Sequence, residues 1–226
     1  MSTVEGRRSP TADRCLRADA ERNRVRILDA ARQVFADEGL DVPMTEVARR
    51  ADVGIATLYR RFPTREDLIE ATFAAKMAAY AEAAEAAEAA LEADDPWAGF
   101  CDYVRAVCEM QARDAGFADV LALAPHEAFQ DERSRAYRAF VRLIRRAQDA
   151  GTLRSDFVSQ DLVMVLMANA GLVRATHATT PDTWLRFVAY LLESFRAPGS
   201  GTLPAAPTPR QMDDALQHTA PPRSRS

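Results

Sequence analysis

Three observations predict an all-α fold. Alanine is abundant and glycine sparse, with 9 Gly in 226 residues. Apolar residues recur at three- and four-residue steps along most of the chain. No run shows the period-two alternation of a half-buried strand. A chain of this length can bury a substantial core in one or two domains, and its periodicities predict about nine helices.

Residues 1–18 are polar, with Gly, Pro and several Arg, and read as a disordered arm. Arg7, Arg8, Arg14 and Arg17 make that arm a candidate DNA contact; a solvated tail is the plainer reading. The first helix is predicted from Asp19 to Glu38. Ile27, Leu28, Ala31, Val34 and Phe35 form its buried stripe, and Gly39 supplies the C′ position. Arg22, Arg24 and Arg26 near its start are candidate phosphate contacts.

Thr45 to Thr64, TEVARRADVGIATLYRRFPT, reads as two short helices joined by a tight turn. Thr45 is the expected N-cap of the first. Val47, Ala48 and Ala51 share one face, and Asp52, Val53 and Gly54 form the break. The helix from Ile55 to Phe62 turns Leu58 and Phe62 inward, four residues apart, to meet Val53. Ile55, Ala56, Thr57, Tyr59, Arg60 and Arg61 are left facing outward. Short uncharged side chains followed by a tyrosine and two arginines suit a helix whose N-terminal end enters the DNA major groove while its flanks hold phosphates. The alternative is an ordinary αα-corner.

Thr64 and Asp67 have capping-box spacing for a long fourth helix, Arg65 to Ala93. Glu82, Glu85, Glu88 and Glu92 lie on one stripe of it, where like charges favour water. Asp94-Asp95-Pro96 stops and restarts the chain, with Pro at a helix N1 position. The fifth helix is predicted over Trp97–Arg113. Gly116 breaks the run, a short sixth helix covers Phe117–Leu123, and a seventh extends from His126 to Ala150. Phe129, Tyr137, Phe140, Val141 and Ile144 mark its inner face, and Arg133, Arg135, Arg138, Arg142, Arg145 and Arg146 mostly mark its wet face. Asp161 opens the eighth helix, apolar nearly all round. Pro181 begins the ninth, with its stripe of Trp184, Phe187, Val188, Leu191, Leu192 and Phe195. From Ala197 the chain turns rich in Pro, Gly and Ser and reads as mainly disordered, with one or two helical turns available over Gln211–Gln217.

Charge is unevenly spread. The formal net charge is −4, yet residues 1–65 hold 13 Arg against 10 Asp and Glu. The basic excess therefore lies with the two-helix stretch, and the acidic remainder repels DNA. Cys15, Cys101 and Cys108 are too few and too scattered for a disulfide framework. Cys101 and Cys108, seven apart on a helix, are separated by roughly 10 Å at about 1.5 Å per residue, too far to bridge. No metal or cofactor motif is present. His126-Glu127 is half of a zinc-protease motif without its second histidine, and His177 and His218 stand alone. No glycine-rich phosphate loop or G-x-S-x-G appears. The start of the chain lacks the apolar segment of a signal peptide. The longest apolar run, Leu162 to Val173, is too short to span a bilayer, so a cytoplasmic protein is expected.

The stretch around the turn closely resembles the helix–turn–helix of the tetracycline-repressor (TetR) family. The likeness is carried by Ile27, Ala30, Ala31, Phe35 and Gly39 upstream, by Val53, Leu58, Tyr59 and Phe62 in the motif, and by Arg65, Glu66 and Leu68 after it. It spans roughly residues 22–70. Two positions depart from the family pattern: Asp52 stands where Gly is usual in the turn, and Gly54 where Ser or Thr usually opens the recognition helix. The resemblance implies a helix–turn–helix DNA-binding domain over 19–68 (motif 45–64) and a ligand-binding and dimerisation domain over 69–197; composition leaves a Pro-rich, mainly disordered tail over 198–226. The resemblance further implies a ligand-responsive regulator, a repressor on double-stranded operator DNA, acting as a homodimer. The alternative is a helical-bundle enzyme or small-molecule carrier that never binds DNA.

Candidate site residues follow. For DNA they are Thr45, Ile55, Ala56, Thr57, Tyr59, Arg60 and Arg65. An effector pocket in the body is expected from Phe100, Tyr103, Val107, Gln111 and Phe117, with Leu121, His126, Phe129, Tyr137 and Phe140; ordinary core is the plainer reading of each. The dimer interface is expected from Leu162, Val165, Leu166, Asn169 and Val173 on the eighth helix and from Trp184, Val188, Leu191 and Phe195 on the ninth. These stripes are more apolar surface than one small bundle covers from within.

Overall fold

The computed structural model describes residues 10–90, 95–123, 129–199 and 201–219. Among them are ten helices and one isolated β-bridge, between Leu153 and Arg196. The chain divides into two compact units. The first is Met1–Val34 with Val42–Thr72, and the second is Phe35–Asp41 with Phe73–Ser226.

The first unit is built on α1 (Pro10–Glu38), α2 (Met44–Arg50), α3 (Ile55–Arg61) and the start of α4 (Arg65–Ala90). Helix α1 begins nine residues before the expected Asp19. Pro10 occupies its first position, where a fixed φ suits a helix and a missing N–H costs nothing. The residues that follow are mostly good helix formers. Residues 10–18 are therefore helical rather than a disordered arm, and Arg7 and Arg8 lie outside the described residues. The core is a small set of fully buried side chains: Ile27, Ala31 and Val34 of α1, Val47 of α2, Leu58 of α3 and Leu68 of α4. Phe62 closes it from the end of α3.

Two details of this unit correct the sequence reading. Thr45 is not a cap. Pro43, with ψ of 140°, supplies the extended residue before α2, and Thr45 is its exposed second residue. Arg26 does not reach outward as a free cation. Its guanidinium donates to the Asp52 carboxylate at 2.9 Å and to the Asp52 carbonyl at 3.2 Å. The turn it braces is left-handed, with Asp52 at φ 51°, a conformation that Asp tolerates better than most residues. We expect Asp52→Val to lower stability by about 1–2 kcal/mol from this backbone alone. Asp52→Gly should change it by less than about 1 kcal/mol, the exposed ion pair being worth no more. Urea unfolding of both variants checks the difference.

α4 is capped as its sequence predicts. Thr64 N–H donates to Asp67 at 2.9 Å, and Asp67 N–H returns to the Thr64 hydroxyl at 3.0 Å. The helix continues into the second unit, where Phe73, Met77, Ala81 and Ala84 are fully buried at helical spacing. Its glutamates are not simply solvated. Glu85 forms a bidentate pair with Arg135 at 2.7 and 2.9 Å, and Glu88 pairs with Arg142. Those hydrogen bonds hold both carboxyls below the usual range, and the like-charge stripe is offset by arginines from the facing helix.

The second unit adds α5 (Pro96–Arg113), α6 (Ala115–Leu123), α7 (Gln130–Asp149), α8 (Ser159–Thr176), α9 (Thr183–Phe195) and α10 (Pro209–Thr219). Asp95 caps α5 by accepting from Trp97 N–H at 3.0 Å and Ala98 N–H at 3.1 Å. Helix α5 is central, packing against α6, α7, α8 and α9. Gly116 lies inside α6 instead of breaking the chain. A Cβ there would stand 3.0 Å from the Phe73 ring, so glycine permits the close approach of α6 to α4.

The tail is more ordered than its composition predicts. Arg154, nearly buried, pairs with Asp156 and donates to the Gly201 carbonyl at 2.8 Å. The Arg154 hydrogen bond pulls the Asp156 carboxyl down to about 2. Thr208 and Gln211 then cap α10 reciprocally, and Met212 is buried as that helix packs against α6 and α8. One well-placed apolar residue anchors a segment whose Pro-rich flanks dominate its composition.

Candidate nucleic-acid interface and buried polar site

Helix α3 presents a sharply divided surface. Leu58 is fully buried, while Ile55 is 38 % and Tyr59 48 % exposed, and Ala56, Arg60 and Arg61 also face out. Thr57 is half-buried. The division follows from spacing: Leu58 and Phe62, four apart, bind the helix to its unit, and the intervening residues project away. Thr57, Arg60 and Arg61 share a groove of about 350 Å³ with Ala20 and Asn23 of α1. Nothing in the sequence marks Asn23, where it is one polar residue among arginines. Arg65 lies half-buried at the first position of α4. An apolar-to-basic face on a short helix, with further hydrogen-bonding side chains beside it, is the chemistry needed to read base edges and hold phosphates.

The body residues expected to line a pocket divide differently. Phe100, Val107 and Phe117 are fully buried and Tyr103 and Phe140 nearly so. Phe100 stacks on Trp97 at 5.7 Å and meets Phe157 edge-on at 5.3 Å, and Tyr103 tilts against Phe140 at 5.2 Å. Phe100 is thus an integral part of an aromatic core. Phe129 is also buried, and Leu121 half-buried. Tyr137 is 55 % exposed and lines no interior. It sits one residue past buried Ala136, and a step of about 100° turns it toward solvent. His126 lies outside the described residues.

What the interior does hold is a set of polar atoms without partners. The Tyr103 hydroxyl, the Gln111 side-chain NH₂ and the Asn169 side-chain oxygen are buried and make no hydrogen bond. Asn169 spends its NH₂ on Gln111 at 3.0 Å and on the Cys108 carbonyl at 3.2 Å. Tyr103, Val107 and Gln111 recur every four residues on one face of α5, so its two orphaned groups lie along one side, and Asn169 of α8 bonds to the same helix. Burial pushes the neighbouring Cys108 thiol up to about 12 and the Tyr103 phenol well above its ordinary range. Cys101 and Cys108 are both free and buried.

Most of the expected dimer stripe is turned inward. Leu162, Val165, Asn169, Val173, Trp184 and Val188 are buried by the chain itself, Asn169 and Val188 almost completely. Leu166, Leu191 and Phe195 are half-buried. Asn169 is held by its bonds to α5, and the rest pack into the same core. The outward surface of these helices is a different set. Its uncharged part includes Met164, Ala168 and Gly171 on α8, with Leu185, Ala189 and Tyr190 on α9, and Arg174, Arg186 and Glu193 are exposed beside them. Arg186 lies over the Tyr190 ring at 5.1 Å and bonds its hydroxyl at 2.6 Å. Among the described residues, no group of three His, Cys, Asp or Glu is placed to hold a metal. No helix of these residues is long and apolar enough to cross a membrane.

Comparison with known proteins meets both units. Residues 27–72 match the family described as bacterial regulatory proteins, tetR family, and residues 95–196 match the transcriptional regulator SbtR-like C-terminal domain. An HTH-type transcriptional regulator of Staphylococcus aureus is 39% identical over 54 residues, 24% of this chain and 29% of its own length. The likeness to that relative thus spans under a third of it. A TetR transcription regulatory protein from Mycobacterium vanbaalenii is 31% identical, with 80% of this chain and 99% of that chain covered and a TM-score of 0.45. The fold is shared with the TetR family regulator PfmR from Thermus thermophilus, at 18% identity, TM-score 0.57, and coverage of 78% and 99% of the two chains. With the helix–turn–helix and the helical body each matched to the same class of regulator, the chain belongs to the TetR family and is a DNA-binding transcriptional regulator, not an enzyme.

Proposed function

We propose that this regulator is a repressor that binds a near-palindromic operator as a homodimer and is released by a small apolar or amphipathic effector. The observation that carries the reading is the α3 surface, where Ile55, Ala56, Tyr59, Arg60 and Arg61 are exposed around a fully buried Leu58. In this reading Ile55, Ala56, Thr57 and Arg60 approach the bases. Tyr59 bonds phosphate, and Thr45 and Arg65 position the backbone. Dimerisation uses the outward faces of α8 and α9, where Ala168 and Gly171 let a second copy approach closely and Met164, Leu185 and Tyr190 supply apolar area. A Cβ on Gly171 would meet nothing within 4 Å in the single chain, which leaves room for a partner helix. Pairing two helices from each copy about a two-fold axis makes a four-helix interface. The effector sits beside α5 near the orphaned polar groups, and its preference for one state of the body is transmitted along α4, whose residues belong to both units.

The test is a footprint on DNA from upstream of the regulator's own gene, with transcript levels measured after deletion. Two protected half-sites are expected in inverted orientation about one helical turn apart, roughly 34–36 Å, together with a rise in the neighbouring transcript. Protection of a single unrepeated site, or a fall in transcript, would remove the palindromic-repressor reading.

A further inference from the structure

Helical spacing puts Arg133 on the wet face of α7, and the structure places it elsewhere. Its Nε is buried without a hydrogen-bond partner, while its two terminal nitrogens donate to the Val120 carbonyl at 2.5 Å and the Leu121 carbonyl at 3.3 Å, at the end of α6. Among the described residues no carboxylate pairs with it. Among those residues its charge is met by the C-terminal end of α6, equivalent to roughly half an elementary charge. Such a half-compensated guanidinium, half-buried with its Nε wholly withdrawn from water, is costly unless an anion completes it. Burial lowers its basicity, as desolvation of a cation requires.

The second observation is independent. Tyr103, 2 % exposed, carries a buried hydroxyl with no hydrogen-bond partner. Tyr80 of α4 neighbours both groups. Its phenol lies close to that of Tyr103, without completing a hydrogen bond, and feels the charge of Arg133. Three helices, α4, α5 and α7, thus bring two phenols and a guanidinium to one region, and apolar Val107 and Phe117 lie fully buried on α5 and α6. Native interiors leave few polar atoms unpaired, and each needs a reason. Here the spare donors are an N–H and an O–H, the set that binds an acid group.

Resting on the effector-release reading above, we propose that the effector is an amphipathic anion whose acid group is bound by Arg133 with the Tyr103 hydroxyl and whose apolar body lies along α5. The guanidinium supplies charge and a directed N–H, and the phenol supplies a second donor. A neutral molecule of the same shape leaves both donors unmet and binds less tightly.

The experiment uses the full-length protein and two dyes of one skeleton: 8-anilinonaphthalene-1-sulfonate, which carries an acid group, and N-phenyl-1-naphthylamine, which lacks it. Energy transfer from Trp97 and Trp184, both in the second unit, reports binding to the body. The sulfonate should bind about ten- to a hundredfold more tightly than the neutral dye, and decanoate should displace it where decanol does not. Arg133→Met should abolish the preference and leave the neutral dye bound as before. Arg133→Lys should retain most of it. Tyr103→Phe, which keeps the ring in the core, should lower it several-fold and serves as the deciding variant if Arg133→Met fails to fold. Equal binding of the two dyes, or a preference that survives Arg133→Met or Tyr103→Phe unchanged, overturns the anion assignment while leaving an effector chamber in place. Absence of binding by either dye removes the chamber and the proposal with it.

Discussion

A chain carrying Ala168→Glu and Leu185→Glu should remain folded, sediment as a monomer, and bind operator about 10²–10⁴-fold more weakly, the range that linking two binding modules contributes. Both positions are exposed in the single chain, so neither substitution creates a cavity or buries a charge within it. In a two-fold pair each glutamate meets apolar surface, and the four new charges repel one another across the axis. The contrast is with residues such as Val165 and Val188. These are buried by their own chain, and a charge there should unfold the body whether or not it dimerises. Sedimentation velocity with circular dichroism separates the two outcomes. A double variant that still forms a stable dimer with unchanged operator affinity would place the interface elsewhere.

Tyr59→Ala with Arg60→Ala should abolish operator recognition in a protein of unchanged stability. Both side chains are exposed, while Leu58 and Phe62, which anchor α3, are buried. The two contributions are distinguishable. Loss of a phosphate contact at Tyr59 weakens binding to all sequences alike. Loss of Arg60, reading a base, costs about 1–3 kcal/mol of discrimination per half-site. Two half-sites therefore lose about 2–6 kcal/mol between cognate and unrelated DNA. A gel shift against both DNAs with each single variant checks the division. Cognate affinity unchanged in the double variant would mean that α3 does not read the operator.

The DNA-reading unit was largely legible because its determinants are local. The spacing of Leu58 and Phe62, the Thr64–Asp67 cap and the tolerance of Asp52 for a left-handed turn are each decided within a few residues, and the structure contains all three. Thr45 failed as a cap because Pro43 starts the helix by backbone geometry alone. The brace from Arg26 to Asp52 joins residues 26 apart in sequence, a distance at which no periodicity speaks.

The body was less legible for the same reason. Periodicity identifies an apolar stripe but not what covers it. Helix α8 is apolar nearly all round, so its inward side could not be told from its outward side until α5 and α9 were seen to take Val165, Asn169 and Val173. The arginines of α7 look alike on a helical wheel. One meets Glu85, one meets Glu88, and Arg133 meets the end of α6. Those roles depend on which neighbour each faces. The tail showed the opposite error: its composition masked the anchoring of Met212 and the Arg154 clasp.

Sequence-specific recognition of DNA through α3 is the central property proposed for this chain. Fluorescence anisotropy measures it, with wild-type protein titrated against a labelled fragment from upstream of its own gene and against a scrambled fragment of equal length, at two salt concentrations. The cognate affinity should be about 10³-fold or more above the scrambled one, with both weakening steeply as salt rises. Equal affinity for the two fragments, at either salt concentration, would contradict it.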